Sequence, residues 1–265
     1  NNIFRPYDGV EIEAPLQQES AIIRAYAGLL LSGASEDEVR GFIKQFRDKL
    51  TRKTKNVRGD TFFTMTSKMV PDLVRGVRQM PTYQGIPKDL SKLTNSIAAT
   101  HLKLTSLLPT DVLNARDYLK QTALMLAADR NDVDLIKALV DRRVDIDAQD
   151  AIGRTALHAA AKAGADRCFQ VLLAAGANPT LQTFSGKTPA IFAAEFGRAM
   201  IFEMRVACTT YPMGESELKE VFDLARYSTE NFKAKRREYA IQGYEIAGRR
   251  GFQKITELAM GGLDE

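Results

Sequence analysis

The stretch Asp150-Ala151-Ile152-Gly153-Arg154-Thr155-Ala156-Leu157-His158-Ala159-Ala160-Ala161-Lys162-Ala163-Gly164 decides the fold of this chain, because the chain repeats it at a constant spacing. A weakened copy lies 33 residues later, from Gly186 to Gly197, and another lies 33 residues earlier, from Asp117 to Asn131. A matched pattern at a fixed period is typical of stacked repeats, which bury their apolar faces only against one another. The centre of the chain is therefore predicted to hold three tandem units.

Each unit places capping and small residues at the same positions. A threonine stands where its hydroxyl can cap the first helix of the unit: Thr122, Thr155 and Thr188. Paired alanines follow, small enough for neighbouring helices to pack closely: Ala127-Ala128, Ala160-Ala161 and Ala193-Ala194. Gly164 and Gly197 permit the turn between helices, with Asn131 in that place in the first unit, and Gly176 can adopt the positive φ that ends a second helix.

The unit resembles the ankyrin repeat, whose hallmark is Gly-x-Thr-Pro-Leu-His-x-Ala-Ala followed by Leu-Leu-x-x-Gly-Ala. The middle copy matches best and ends Val171-Leu172-Leu173-Ala174-Ala175-Gly176-Ala177-Asn178, whereas the first copy puts Arg143 where the family has glycine. The third copy has neither Leu-Leu nor glycine over residues 204–209, which argues against a regular second helix or a tight exit turn there. The resemblance covers residues 115–209, somewhat over a third of the chain.

The fold class implied is all-α: an ankyrin-type α-solenoid, with an N-terminal helical region at 1–114, three units at 115–209 and a C-terminal helical cap at 210–265. Helices are predicted over 17–31, 36–49, 69–78 and 90–107, the second opening with a capping box of Ser35 and Glu38. Further helices are predicted over 218–225 and 228–250. Residues 247–261 look like the back half of an ankyrin unit, out of phase with the others, which suggests a degenerate fourth repeat.

The chain offers little for catalysis. It has two histidines and two cysteines, with no CxxC motif and no nucleotide-binding or metalloprotease motif, so we expect no catalytic residue, no cofactor and no metal. The resemblance gives His158 a structural role within its repeat, and Cys168 falls on the apolar stripe of a second helix as a buried thiol. His101 could form a dyad with Cys208 only if the fold brought them together. No run is long enough to span a membrane, and a reducing compartment, the cytoplasm, is expected.

In ankyrin stacks the hairpin tips and the exposed faces of the first helices line a groove that binds a partner protein. The resemblance maps that groove onto tip and helix positions of this chain: Tyr118, Gln121, Arg130, Ile152, Arg154, Lys162, Phe184, Lys187, Glu195 and Phe196. Exposed aromatics beside cations are typical of protein-binding hot spots. The cations suggest a partner with an acidic segment, and Arg154 and Lys187 are expected to lie outside the framework of the fold.

Three functions stay open on the sequence. The first is an adaptor that binds a protein through the groove, and sparse repeats inside unfamiliar helical flanks resemble the ankyrin effectors that intracellular bacteria send into host cells. The second is an enzyme with its active site in the N-terminal region and the repeats as its substrate-recognition module. The third is a basic helical module for nucleic acid or anionic lipid, because residues 1–39 carry a net charge of −5 and residues 40–80 of +8. A second basic cluster at 233–237 is interleaved with Glu230, Glu238 and Glu245, which is typical of a solvated helix face. The lack of a zinc-finger or RNP-like motif also disfavours nucleic acid.

Overall fold

The computed structural model of the protein describes residues 22, 25–26, 28–30, 33–50, 61, 90–235 and 244–261. Helix is the only regular secondary structure within these residues, which confirms the predicted all-α class. Contacts divide the chain into two compact units, Asn1–Tyr118 and Leu119–Glu265. The predicted helix at 69–78 and most of the basic stretch at 40–80 lie outside the described residues.

The described part of the first unit consists of packed helices. The described residues between 22 and 30 are helical, and three helices follow: α1 (Glu36–Leu50), α2 (Leu90–Leu107) and α3 (Thr110–Leu113), with α1 packed on α2. The predicted capping box opens α1: the backbone N–H of Glu38 donates to Ser35 Oγ at 3.3 Å, and the N–H of Ser35 donates to Glu38 Oε2 at 2.7 Å. The hydrogen bonds that the N–H and the hydroxyl of Ser35 donate to the Glu38 carboxylate lower the pKa of this carboxyl.

The second unit is a stack of helical pairs. Its helices are α4 (Ala123–Asp129), α5 (Val133–Asp141), α6 (Ala156–Ala163), α7 (Asp166–Ala174), α8 (Pro189–Glu195), α9 (Ala199–Val206), α10 (Glu215–Lys235) and α11 (Tyr244–Gly261). The first helices α4, α6, α8 and α10 pack side by side in one row, and α5, α7, α9 and α11 pack in a second row. The paired alanines of the repeats are buried between first helices, as their small size predicts.

Positive φ occurs at three turns in each of the first two repeats and at two turns in the third, and these turns recur with the 33-residue period. At the hairpin tips these are Lys120, Gly153 and Gly186; between the helices they are Asn131, Gly164 and Gly197; after the second helix they are Arg143 and Gly176. The first repeat therefore adopts the same turns without glycine. An L-residue in this region costs about 1–2 kcal/mol, so the first repeat holds strain that the second does not.

Two expectations about the C-terminal part were wrong. α9 is a regular helix over eight residues, because burial of Ile201, Phe202 and Arg205 stabilises it without a Leu-Leu ending, and its C-cap Ala207 has an ordinary φ of −73°. α11 runs unbroken through Gly251 to Gly261, whereas the helix predicted over 228–250 was expected to end before this glycine. Residues 215–235 form one helix that includes the predicted segment 218–225, and residues 236–243 lie outside the described part.

Candidate protein-binding surface

Each hairpin tip of the second and third repeats is closed by one polar side chain near its start. Asp150 Oδ1 accepts hydrogen bonds from the backbone N–H groups of Ile152, at 3.0 Å, and Arg154, at 2.8 Å. Thr183, one repeat later, accepts from the N–H of Lys187 at 3.2 Å. Short polar side chains bond their own backbone in this way and so define a turn. The tips are therefore held locally.

Backbone hydrogen bonds also join consecutive tips. The N–H of Ala151 donates to the carbonyl oxygen of Leu119 at 2.8 Å, and the N–H of Phe184 donates to the carbonyl oxygen of Ile152 at 3.0 Å. The side-chain amide of Gln149 donates to the carbonyl oxygen of Gly153 in its own tip and to that of Gln182 in the next tip, each at 3.0 Å. The three tips thus form a continuous hydrogen-bonded frame.

Large apolar side chains stand exposed on this frame. Leu119 is 40% exposed, Ile152 54% and Phe184 75%. The Phe184 ring lies over the preceding tip, because a Cβ atom on Gly153 would stand 3.0 Å from Phe184 Cδ1. We call Leu119, Ile152 and Phe184 the tip ridge. Single exposed apolar residues are common, but a row of them on adjoining tips is typical of an interaction surface.

The charges expected in the groove are largely neutralised within the protein. The guanidinium of Arg154 pairs with the buried carboxylate of Asp150 at 2.8 Å, and the Lys187 ammonium pairs with Glu195. The expectation that Arg154 and Lys187 lie outside the framework was therefore wrong, because both side chains close ion pairs within the repeats. Lys162 is exposed on α6 and has no ion pair among the described residues.

The remaining predicted groove residues differ in their exposure to solvent. Tyr118 is 53% exposed and is the last residue of the first unit, whereas Gln121 is half-buried. Arg130 is exposed at the end of α4. Phe196 is 43% exposed at the end of α8, and its ring centroid lies 6.2 Å from that of Phe192.

His158 has the structural role predicted for it. The backbone N–H of Thr155 donates to His158 Nδ1 at 3.1 Å, and Nε2 lies 2.9 Å from the carbonyl oxygen of Lys187 in the next repeat. Since an N–H can only donate and a carbonyl can only accept, the ring is neutral with its proton on Nε2. Burial lowers the pKa of His158 to about 4, against a raising effect of the hydrogen bond to Lys187.

Cys168 and His101, the other candidate groups, also make contacts within the fold. Cys168 is buried, its thiol lies 3.4 Å from the Asn131 side-chain oxygen, and burial raises its pKa to about 11. His101 Nδ1 is hydrogen-bonded to the hydroxyl of buried Tyr26. The described residues contain no group of three or more metal-ligating side chains. Among the helices described, we find none both long and apolar enough to cross a membrane.

Two features escaped the sequence reasoning. Leu119 occupies the same repeat position as Ile152, 33 residues earlier, and that register could have identified it. Arg205 is fully buried, and its guanidinium donates to Glu217 Oε2 at 3.1 Å and to the Tyr211 carbonyl at 2.6 Å. Glu217 Oε1 also accepts from the Thr188 hydroxyl at 2.6 Å, so this cluster ties α10 to the third repeat. The repeat pattern does not predict this cluster, because Glu217 and Tyr211 lie beyond the three repeats.

Comparison with known proteins agrees with this architecture. A family model for ankyrin repeats (3 copies) matches residues 96–183 and 124–208, so the match begins within α2. Neurogenic locus notch homolog protein 1 of Xenopus laevis is 42% identical over 82 residues, which cover 31% of this chain and 3% of that protein. The human protein of the same name is 40% identical over 82 residues. An ankyrin repeat protein of Rickettsia bellii is 39% identical over 71 residues, 27% of this chain and 39% of the relative.

The chain therefore contains ankyrin repeats, over residues 96–208. Ankyrin repeats are general protein–protein interaction modules. The chain covers only 3% of the Notch relatives' length and 39% of the rickettsial protein.

Proposed function

We propose that this protein is an adaptor that binds a partner protein through the groove made by the hairpin tips and the adjoining first helices. The observation that carries the proposal is the tip ridge, in which three consecutive hydrogen-bonded tips each expose a large apolar side chain. The groove is assigned to the residues expected from the sequence together with Leu119: Tyr118, Gln121, Arg130, Ile152, Arg154, Lys162, Phe184, Lys187, Glu195 and Phe196.

The experiment starts by capturing partners from lysate on the full chain and identifying them by mass spectrometry. Calorimetry then measures the affinity of an identified partner for the wild type and for Phe184→Ser and Lys162→Glu, both changes at exposed side chains. We expect Phe184→Ser to weaken binding by about tenfold or more, as loss of an aromatic anchor does. Lys137→Glu, exposed on α5 in the second row, is the matched control. Unchanged affinity in Phe184→Ser and Lys162→Glu would place the partner elsewhere.

We also assign a capping role to α10 and α11, as the C-terminal helical cap expected at 210–265. Val221 and Ala225 of α10 are buried, while Lys219, Glu220 and Asp223 are exposed and charged. A repeat stack needs such a polar terminal face, because an apolar one would attract further copies. The test is removal of residues 236–265, which should expose the third repeat and cause concentration-dependent association in analytical ultracentrifugation. A truncated chain that stays monomeric and fully folded would contradict the capping role.

An effector role in a host cell, and a cytoplasmic location, complete the proposal. The similarity to the ankyrin repeat protein of Rickettsia bellii supports the first, and the two free cysteines, Cys168 and Cys208, support a reducing compartment. A translocation reporter fused to the chain, expressed in a bacterium that infects cultured cells, tests both. Signal from the host cytoplasm is expected, and signal confined to the bacterium would remove the effector role.

A further inference from the structure

The exposed side of α1 carries a row of basic side chains. Because a helix turns by about 100° per residue, Arg40, Lys44 and Arg47 fall within an arc of about 60°, and all three are exposed. We call them the basic face of α1. Arg40 pairs with Glu36, whereas Lys44 and Arg47 have no ion pair within the part of the chain that the structure describes. The pair of Arg40 and Glu36 is itself exposed to solvent, and such pairs contribute little, so it can open to another anion.

The opposite side of the helix belongs to the core of the first unit. Its buried apolar side chains are Val39, Phe42, Phe46 and Leu50. The rings of Phe42 and Phe46 lie 5.0 Å apart between centroids. Ile43 is half-buried. The apolar side of α1 is therefore already used by the fold, and the basic face offers charge without an exposed apolar anchor.

This lack of an anchor separates the anionic partners that the face could bind. A protein partner packs aromatic or aliphatic anchors at the centre of its interface, and single-stranded nucleic acid stacks its bases on exposed aromatic rings. Among the side chains of α1 that the structure describes, neither kind of anchor is exposed. The face therefore fits an anionic surface that is bound by charge alone, which leaves duplex nucleic acid and anionic membranes.

The charges at the start of α1 distinguish these two surfaces. Glu36, Asp37 and Glu38 are exposed in the first turn. A helix in the major groove of a duplex lies between two rows of phosphates, which would repel this turn. Lys44 lies about 12 Å further along the helix axis than Glu36. A flat membrane surface can therefore meet Lys44 and Arg47 while the acidic turn stays away from it.

The sequence around the basic face has the same sign of charge. Residues 40–80 carry a net charge of +8, and α1 ends at Leu50 within this stretch. Each basic side chain near an anionic membrane adds to the attraction, and clusters of about four to eight Lys or Arg residues are typical of proteins that bind such membranes. Charge complementarity therefore favours a bilayer that contains anionic lipids.

We propose that the basic face of α1 binds the surface of membranes that contain anionic phospholipids, with Lys44 and Arg47 as the main contacts. Their ammonium and guanidinium groups donate hydrogen bonds to phosphate and carboxylate oxygens of the lipid headgroups. Because the apolar side of α1 stays in the core, the contact is electrostatic and lies at the headgroup level. This activity goes beyond the adaptor function and does not depend on the groove.

Vesicle flotation tests the proposal on the full chain. Binding is measured to phosphatidylcholine vesicles with and without about 30 mol% phosphatidylserine, in about 0.1 M and about 1 M salt. The variant Lys44→Glu with Arg47→Glu reverses two charges on the basic face. Lys137→Glu with Arg167→Glu is the matched control, because it makes the same change in net charge at exposed residues of α5 and α7. Circular dichroism checks that each variant melts at the temperature of the wild type.

We expect the wild type to bind vesicles that contain phosphatidylserine and not vesicles of phosphatidylcholine alone. Lys44→Glu with Arg47→Glu should weaken this binding about tenfold or more, and the control variant less than about threefold. Lys44→Gln with Arg47→Gln, which removes the charges without adding carboxylates, should give an intermediate loss. Binding should disappear in about 1 M salt, where exposed charges act over only about 3 Å.

Four outcomes would overturn the proposal. The wild type could fail to bind anionic vesicles, or Lys44→Glu with Arg47→Glu could bind them as well as the control does. Binding that persists on phosphatidylcholine alone, or in about 1 M salt, would exclude an electrostatic contact. Anisotropy with a duplex DNA of about 20 bp is measured in parallel. Duplex binding that is lost in Lys44→Glu with Arg47→Glu, without vesicle binding, would assign the basic face to nucleic acid instead.

Discussion

Gly251 of α11 lies directly against the backbone of Gly197, the glycine that turns the chain between α8 and α9. A Cβ atom on Gly251 would overlap the carbonyl oxygen of Gly197 and stand 2.9 Å from its carbonyl carbon. Because these neighbours are backbone atoms, no side-chain rotation can make room. At this contact, the backbone of α11 packs directly against the backbone of the third repeat.

Gly251→Ala should therefore destabilise the second unit even though alanine favours helix. We expect the free energy of unfolding to fall by about 2 kcal/mol, as for a small-to-large change in a packed contact. Gly261→Ala is the control, since a Cβ atom there has nothing within 4 Å in the same helix. Urea denaturation followed by circular dichroism compares the two. Equal midpoints for both variants would show that α11 does not pack tightly at Gly251.

The buried pair of Arg205 and Glu217 gives a second prediction. Glu217→Ala leaves the fully buried guanidinium without its carboxylate and the Thr188 hydroxyl without its acceptor, so unfolding should become easier by about 3–5 kcal/mol. Removing both charges, as Arg205→Met with Glu217→Leu, should recover much of the loss. The exposed Glu220→Ala serves as the surface control. A double variant less stable than Glu217→Ala would mean that the pair itself stabilises the fold.

His158 makes stability depend on pH. Its pKa is about 4 in the folded protein, below its ordinary value of 6.5, so the unfolded chain binds the proton more readily. The contribution of neutral His158 is complete above pH 6.5 and is lost as pH falls towards about 4, by about 3 kcal/mol in total. Denaturation of wild type and His158→Asn at several pH values measures it. Their difference should shrink on acidification, and a constant difference would exclude this linkage.

The repeated turns predict that glycine is the stabilising residue at the same position in two neighbouring repeats. Arg143 has a φ of 53° where Gly176 has 89°, and both follow a second helix. Arg143→Gly should raise stability by about 0.5–1 kcal/mol, while Gly176→Ala should lower it by about 1 kcal/mol. No atom lies within 4 Å of a Cβ on Gly176, so only backbone conformation is tested there. Thermal unfolding measures the stability of both variants. A Gly176→Ala variant more stable than the wild type would contradict the prediction.

Features that depend on residues close together in the sequence, or on the repeat period, could be predicted. The 33-residue period places Thr155, His158 and the paired alanines correctly, because each acts within a repeat or against its neighbour. The capping box of Ser35 and Glu38 and the bounds of α2 follow from local rules as well.

Features that depend on how side chains meet in space could not be predicted. Arg154 and Lys187 occupy variable family positions, yet their partners Asp150 and Glu195 come within reach only once the tip and α8 have formed. Glu217 meets Arg205 across a loop outside the period, and this cluster helps to hold α10 in place without a repeat motif. The repeat register named the candidate groove residues, but only the structure shows which of their charges are paired.

The backbone hydrogen bonds that join Leu119 to Ala151 and Ile152 to Phe184 also reduce the entropy lost on binding. Ordering a flexible loop costs about 1–2 kcal/mol for each residue fixed, and that cost is subtracted from the affinity of any loop that folds on its ligand. The tips of this stack are held by bonds to their neighbours before a ligand arrives. A partner can therefore bind through few side chains, because its binding free energy is not reduced by the cost of ordering the tips.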